Sequence, residues 1–221
     1  MVRASEVVEL PVVSIDGGED IAEIKDVVFD GVSHRLIGFT LNKRGFFSGS
    51  LAEELPTEHV WAIGPDAVMV TSAERLVAPG EASTGVSGES DTYSVGGSRV
   101  LTSGGDDIGE IVGVILSTGA PPEAVGYEVR PEDGDSVFVP ISAQMALSDS
   151  NLLVPAEATE FIRNDLAGFG AAVTGFRAKL DAASPARGGG QVATGTAPPP
   201  PAESETYAAP VADAGPDQEV T

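Results

Sequence analysis

The sequence predicts a mainly β protein: two tandem small β-barrels followed by one amphipathic α-helix and a disordered tail. Three observations carry that prediction. A glycine-pair turn and the strand behind it are written twice. Short β-prone runs recur with glycine and proline turns between them. After residue 155 the apolar spacing changes from alternation to steps of three and four.

The repeated stretch is Ile21 to Asp30, IAEIKDVVFD, preceded by Gly17-Gly18. At an offset of 87 residues, Gly17, Gly18, Asp20, Ile21, Glu23, Ile24 and Val27 recur as Gly104, Gly105, Asp107, Ile108, Glu110, Ile111 and Val114. What the repeat keeps is a turn and a strand wall. It drops Asp26 and Asp30, which become Gly113 and Ser117.

In chain order, residues 10–15 form a short strand ending in Asp16-Gly17-Gly18, where glycine supplies the positive φ of a tight turn. Ile21 to Phe29 is apolar on both faces, as in a strand that bends or carries a bulge. His34 to Asn42 alternates, with Ile37, Phe39 and Leu41 on one face and His34, Gly38, Thr40 and Asn42 on the other. Leu51 to Leu55, Val60 to Ile63 and Ala67 to Thr71 complete the first barrel. Residues 77–94 are rich in glycine, serine and glutamate and read as a flexible linker. The second unit repeats the grammar: Gly38-Phe39 becomes Gly126-Tyr127, and Leu55-Pro56 becomes Val139-Pro140. In residues 156–183, Ile162, Leu166, Phe169, Val173, Phe176 and Leu180 fall on one helix face. Residues 184–221 hold little apolar bulk to offset chain entropy and read as a disordered low-complexity tail. The expected domains are therefore 1–76, 95–155 and the helix 156–183.

The order of glycine-pair turn, I-x-E-I-x-x-V strand, LIGFTL strand, L-P-x-x-x-V and GPDAVMV resembles the PRC-barrel. That β-barrel is shared by the photosynthetic reaction-centre H subunit and the C-terminal half of the ribosome-maturation factor RimM. The resemblance covers residues 3–74 directly and 95–155 through the internal repeat. It implies a tandem PRC-barrel protein, similar to free-standing bacterial and archaeal PRC-barrel proteins, some with assembly roles. It supplies no catalytic residues.

Composition narrows the function. The net charge is −22, and residues 81–155 carry only Arg99 and Arg130 as cations. Such a field repels phosphate backbones and anionic lipid surfaces, so direct nucleic-acid binding is disfavoured. With no cysteine there is no disulfide and no thiolate metal site. The N-terminus MVRASEVVEL has no apolar run of signal length, and no stretch reaches the ~20 residues of a membrane helix. A cytoplasmic location is the expectation.

Asp16, Glu19, Asp20, Asp26 and Asp30 lack the alternating calcium-loop pattern and read as turn formers and a solvated edge. His34 and His59 are the chain's two histidines, without further nitrogen or sulfur ligands for a metal site and without a G-x-S-x-G elbow. Hence no catalytic residue, no metal ligand and no cofactor is expected. Asn42 to Phe47, NKRGFF, sets Lys43 and Arg44 beside Phe46 and Phe47, and the second unit has no such loop. Cations next to aromatics favour binding hot spots, which makes Lys43, Arg44, Phe46 and Phe47 the candidate partner-binding residues. The competing reading has a phenylalanine plugging the barrel and the cations pairing with Glu53 and Glu54. The helix is expected to pack on the chain's own barrels, with a homodimer seam through 162–180 as the second choice. The functional expectation is a non-enzymatic scaffold for an unidentified protein partner. The alternatives are a RimM-like ribosome- or RNA-processing-associated factor and, more remotely, a hydrolase or metal enzyme.

Overall fold

A computed structural model describes residues 1–44, 49–82, 96–148 and 150–183. The chain starts with a two-residue strand, β1 (Val2–Arg3), and a single helical turn, α1 (Ala4–Val7). Six strands then build the first sheet: β2 (Pro11–Ser14), β3 (Asp20–Asp30), β4 (Arg35–Asn42), β5 (Ser50–Pro56), β6 (Val60–Ile63) and β7 (Val68–Val70). Their spatial order is β5-β4-β3-β2-β7-β6. Six more build the second: β8 (Arg99–Thr102), β9 (Asp107–Leu116), β10 (Ala124–Arg130), β11 (Val137–Pro140), β12 (Ala146–Leu147) and β13 (Asn151–Val154). Their order, β11-β10-β9-β8-β13-β12, is the same path, and β1 joins β9 as a seventh strand.

Each sheet is mixed. Its first and last strands pair in parallel, Val12 beside Val68 and Val100 beside Leu152, and the other ladders are antiparallel. Neither path closes among the described residues, so the expected closed barrels are instead two open sheets. The chain leaves β5 at Pro56 and β11 at Pro140, and proline has no N–H to extend a ladder toward the next strand. The glycine-pair turns are where the sequence placed them. Gly18 and Gly105 adopt φ of 66° and 92°, a region costly for residues with a Cβ.

One facing assignment changes. The β3–β4 ladder shifts register between Val28 and Phe29, skipping Ile37, so Leu36 rather than Ile37 is buried with Phe39 and Leu41. A bulge adds one residue and flips the alternation.

The two sheets share one core. Val12, Ile24, Phe29, Phe39 and Leu41 cluster with Val114, Tyr127, Val139 and Val154, and the Phe29 and Tyr127 rings meet edge to face at 6.1 Å. The N-terminal segment reinforces the union. Val2 and Arg3 pair with Leu116 and Ile115, Arg3 Nε donates to Glu128 Oε2 at 2.9 Å, and the guanidinium lies 5.3 Å from the Phe138 ring centre. At the start of the expected linker, Val77 exchanges two backbone hydrogen bonds with Glu54. Residues 83–95 of that region, and the expected disordered tail 184–221, lie outside the described residues.

The expected helix 156–183 is divided. Ala156–Phe161 forms 3-10 turns, and α2 spans Leu166–Ala183. Asp165 sets its start by accepting the Gly168 N–H at 2.6 Å, so Ile162 precedes the helix. The apolar stripe is used within the chain: Phe169, Ala172 and Val173 pack on Ile115, Val125 and Phe138, while Phe176 and Leu180 join the shared core. Two glycines set close approaches. A Cβ on Gly126 would run into the Phe169 ring and the Val139 carbonyl, and one on Gly38 would run into the Leu55 carbonyl. No helix among the described residues is long and apolar enough to cross a membrane.

Candidate functional site

The turn between β3 and β4 is built by an aspartate. Asp30 Oδ1 accepts the Val32 N–H at 3.0 Å, and Oδ2 accepts the Ser33 hydroxyl at 2.6 Å. Side-chain acceptance of this kind is what makes aspartate a turn former. The turn delivers His34 at φ 56°, an uncommon conformation for a residue other than glycine. His34 is 5% exposed, and its Nδ1 lies 2.6 Å from the hydroxyl of Tyr127 on β10. A buried polar bridge therefore spans the two sheets.

The proton arrangement follows from accounting. Tyr127 is fully buried, and burial pushes its pKa well up, so the phenol keeps its hydrogen. With Nδ1 as its partner, the hydroxyl donates and Nδ1 accepts, which leaves the ring hydrogen on Nε2 of neutral His34. The opposite tautomer would strand the phenol hydrogen inside the protein. Burial lowers the His34 pKa below 6.5; the Met145 backbone and the Asp30 charge oppose this without reversing it. Nε2 meets no partner at full hydrogen-bond geometry among the described residues.

His34 also lines a cleft of about 670 Å³ where several elements converge. Arg35 and Leu36 come from β4 and Thr57 from the 3-10 turn after β5, while Pro122 comes from the loop between β9 and β10 and Ile141 from just past β11. Helix α2 closes one side with Arg177 and Leu180. Thr57 Oγ1 is, like His34 Nε2, buried without a partner among the described residues.

The residues expected to bind a partner are only partly placed. Lys43 and Arg44 are exposed at the end of β4; Arg44 pairs with Asp20 at 2.7 Å rather than with Glu53 or Glu54. Phe46 and Phe47 lie outside the described residues. The acidic set does not converge: Asp30 holds its turn, Asp26 accepts its neighbour's N–H at Val27, and Asp20 takes Arg44. No group of three or more His, Cys, Asp or Glu among the described residues is arranged to hold a metal ion. His59 lies 2.7 Å from the Arg75 carbonyl, donating to it through Nδ1–H.

Residues 1–77 match the PRC-barrel domain model. No curated protein matches the chain. The PRC-barrel match takes in the whole first sheet and ends at Val77, the residue that bridges back to Glu54. It also includes β1 and α1, although β1 is hydrogen-bonded to the second sheet.

Sequence reasoning missed two features. The His34–Tyr127 bridge had a signal: Tyr127 takes the position of Phe39 in the internal repeat, so a hydroxyl appears where a core ring is expected. The chain's one tryptophan, Trp61, is 58% exposed on end strand β6, where the sequence pattern shows only a short strand.

Proposed function

We propose that this chain is a non-enzymatic protein-binding scaffold made of two PRC-barrel-type units, approximately residues 1–76 and 95–155. Support for the duplication comes from the shared strand order and from matched registers. Gly38 lies opposite Pro56 as Gly126 lies opposite Pro140, and Phe39 opposite Leu55 as Tyr127 opposite Val139. The partner surface is centred on Lys43 and Arg44, together with Phe46 and Phe47.

One observation carries this reading. The loops that follow β4 and β10 occupy corresponding places, yet the first presents exposed Lys43 and Arg44 and the second presents exposed Glu132, Asp133 and Asp135. A loop needed only to join strands has no reason to reverse its charge against a −22 background. A cationic point in an acidic field selects partners with a local acidic patch and deters the rest.

The test is quantitative affinity capture with the intact chain and with Lys43→Glu combined with Arg44→Glu. Both side chains are exposed, and an exposed ion pair such as Arg44–Asp20 contributes about 0–1 kcal/mol, so the fold should hold. The expected result is at least a fivefold loss of the specific partner at unchanged melting temperature. Undiminished recovery contradicts the proposed surface. A nuclease-resistant set rich in ribosomal proteins would instead favour the ribosome-associated alternative.

A further inference from the structure

We propose that the cleft between the two sheets and α2 is a binding site for a small molecule carrying one oxyanion, a carboxylate or a phosphate, on a compact apolar body. The volume, about 670 Å³, falls within the few hundred to 1,000 Å³ typical of small-molecule sites. Its walls are amphipathic: Leu36, Ile141 and Leu180 provide the apolar part, and several hydrogen-bond donors provide the rest.

The donors decide the chemistry. His34 Nε2 carries a hydrogen, and no acceptor among the described residues, the Met145 backbone included, meets it at full hydrogen-bond geometry. Thr57, also of the cleft lining, has its Oγ1 buried without a partner among the described residues. Unmade hydrogen bonds inside a protein cost free energy, and two of them border one cleft. Arg35, the next residue to His34, is exposed at this cleft, and its side chain has no partner among the described residues. Arg177 faces the same space and, among the described residues, is held only by a 3.5 Å contact to Glu123. Two guanidinium groups and two neutral donors form a set suited to carboxylate or phosphate oxygens. Glu123 and Asp181 also line the cleft, and they limit the charge it accepts. A single oxyanion fits beside them, whereas a polyanion would be repelled.

The two histidines make the test direct. His59, bonded to the Arg75 carbonyl and not part of the cleft lining, serves as the internal reference. Histidine-labelled full-length protein is titrated at constant pH with inorganic phosphate and, separately, with hexanoate, each against potassium chloride of matched ionic strength. Saturable movement of the His34 ring signals with at least one probe, while His59 stays still, is the expected outcome. The probe that binds more tightly identifies the oxyanion. Arg35→Ala should weaken that binding about tenfold at unchanged melting temperature, since one charge-assisted hydrogen bond is lost. The proposal is overturned if neither probe moves His34 up to tens of millimolar, if chloride moves it equally, or if Arg35→Ala leaves the titration unaltered. None of these readouts involves Lys43 or Arg44, so this site and the partner surface stand or fall separately.

Discussion

Tyr127 and Phe39 hold corresponding positions, and their difference is one hydroxyl. Because Phe39 fills its place without that oxygen, Tyr127→Phe should preserve the shape of the core and remove only the bond to His34. The loss leaves Nδ1 buried and unpaired, which costs about 1–3 kcal/mol. Urea denaturation at neutral pH should show a lower midpoint at an unchanged slope. The pH dependence follows from the depressed pKa of His34. The unfolded chain takes up the proton more readily than the folded one, so this stabilisation is present above about pH 6.5 and is lost as pH falls through the folded value. His34→Asn, which tolerates positive φ and does not titrate, should show less loss of stability than the wild type between pH 7.5 and 5.5. An equal loss in both proteins would assign the acid sensitivity to other groups. Little of this was legible beforehand. A lone histidine in a turn gives no periodic signal, and its partner lies 93 residues away.

At the scale of elements, much more was written in the chain. Alternation located β4, turn glycines bounded β3, and the internal repeat carried both readings over to β9 and β10, because half-buried strands impose a two-residue period and tight turns impose positive φ. The start of α2 was less legible: helical spacing begins at Ile162, but a capping aspartate at 165 outweighs it. The N-terminal strand was illegible, since two residues have no period and their pairing with β9 is long-range. Gly126 lies where β10, β11 and α2 meet. Gly126→Ala should push Phe169 off the sheet at a cost of about 1–3 kcal/mol. Hydrogen exchange should then show reduced protection concentrated in residues 166–183, with β3 and β4 less affected. Uniform loss of protection across the chain would mean that the helix and both sheets yield together.

For the whole molecule, the internal repeat points to two separate barrels, whereas the described strands of both sheets and α2 belong to one compact unit with a common core. The union could not be read from the repeat, because a repeat matches each strand to its copy without saying which faces meet, and the contacts that tie the two sheets further do not repeat. They are β1 on β9, Arg3 with Glu128, and His34 with Tyr127. The strands that do repeat contribute one face each to a common core, and neither sheet buries that face alone. Such an arrangement should melt as a unit. Differential scanning calorimetry of the full chain tests it most directly. The account predicts a single transition whose calorimetric and van't Hoff enthalpies agree. Two resolved transitions, with the Lys43–Arg44 unit melting independently of the other, would contradict it.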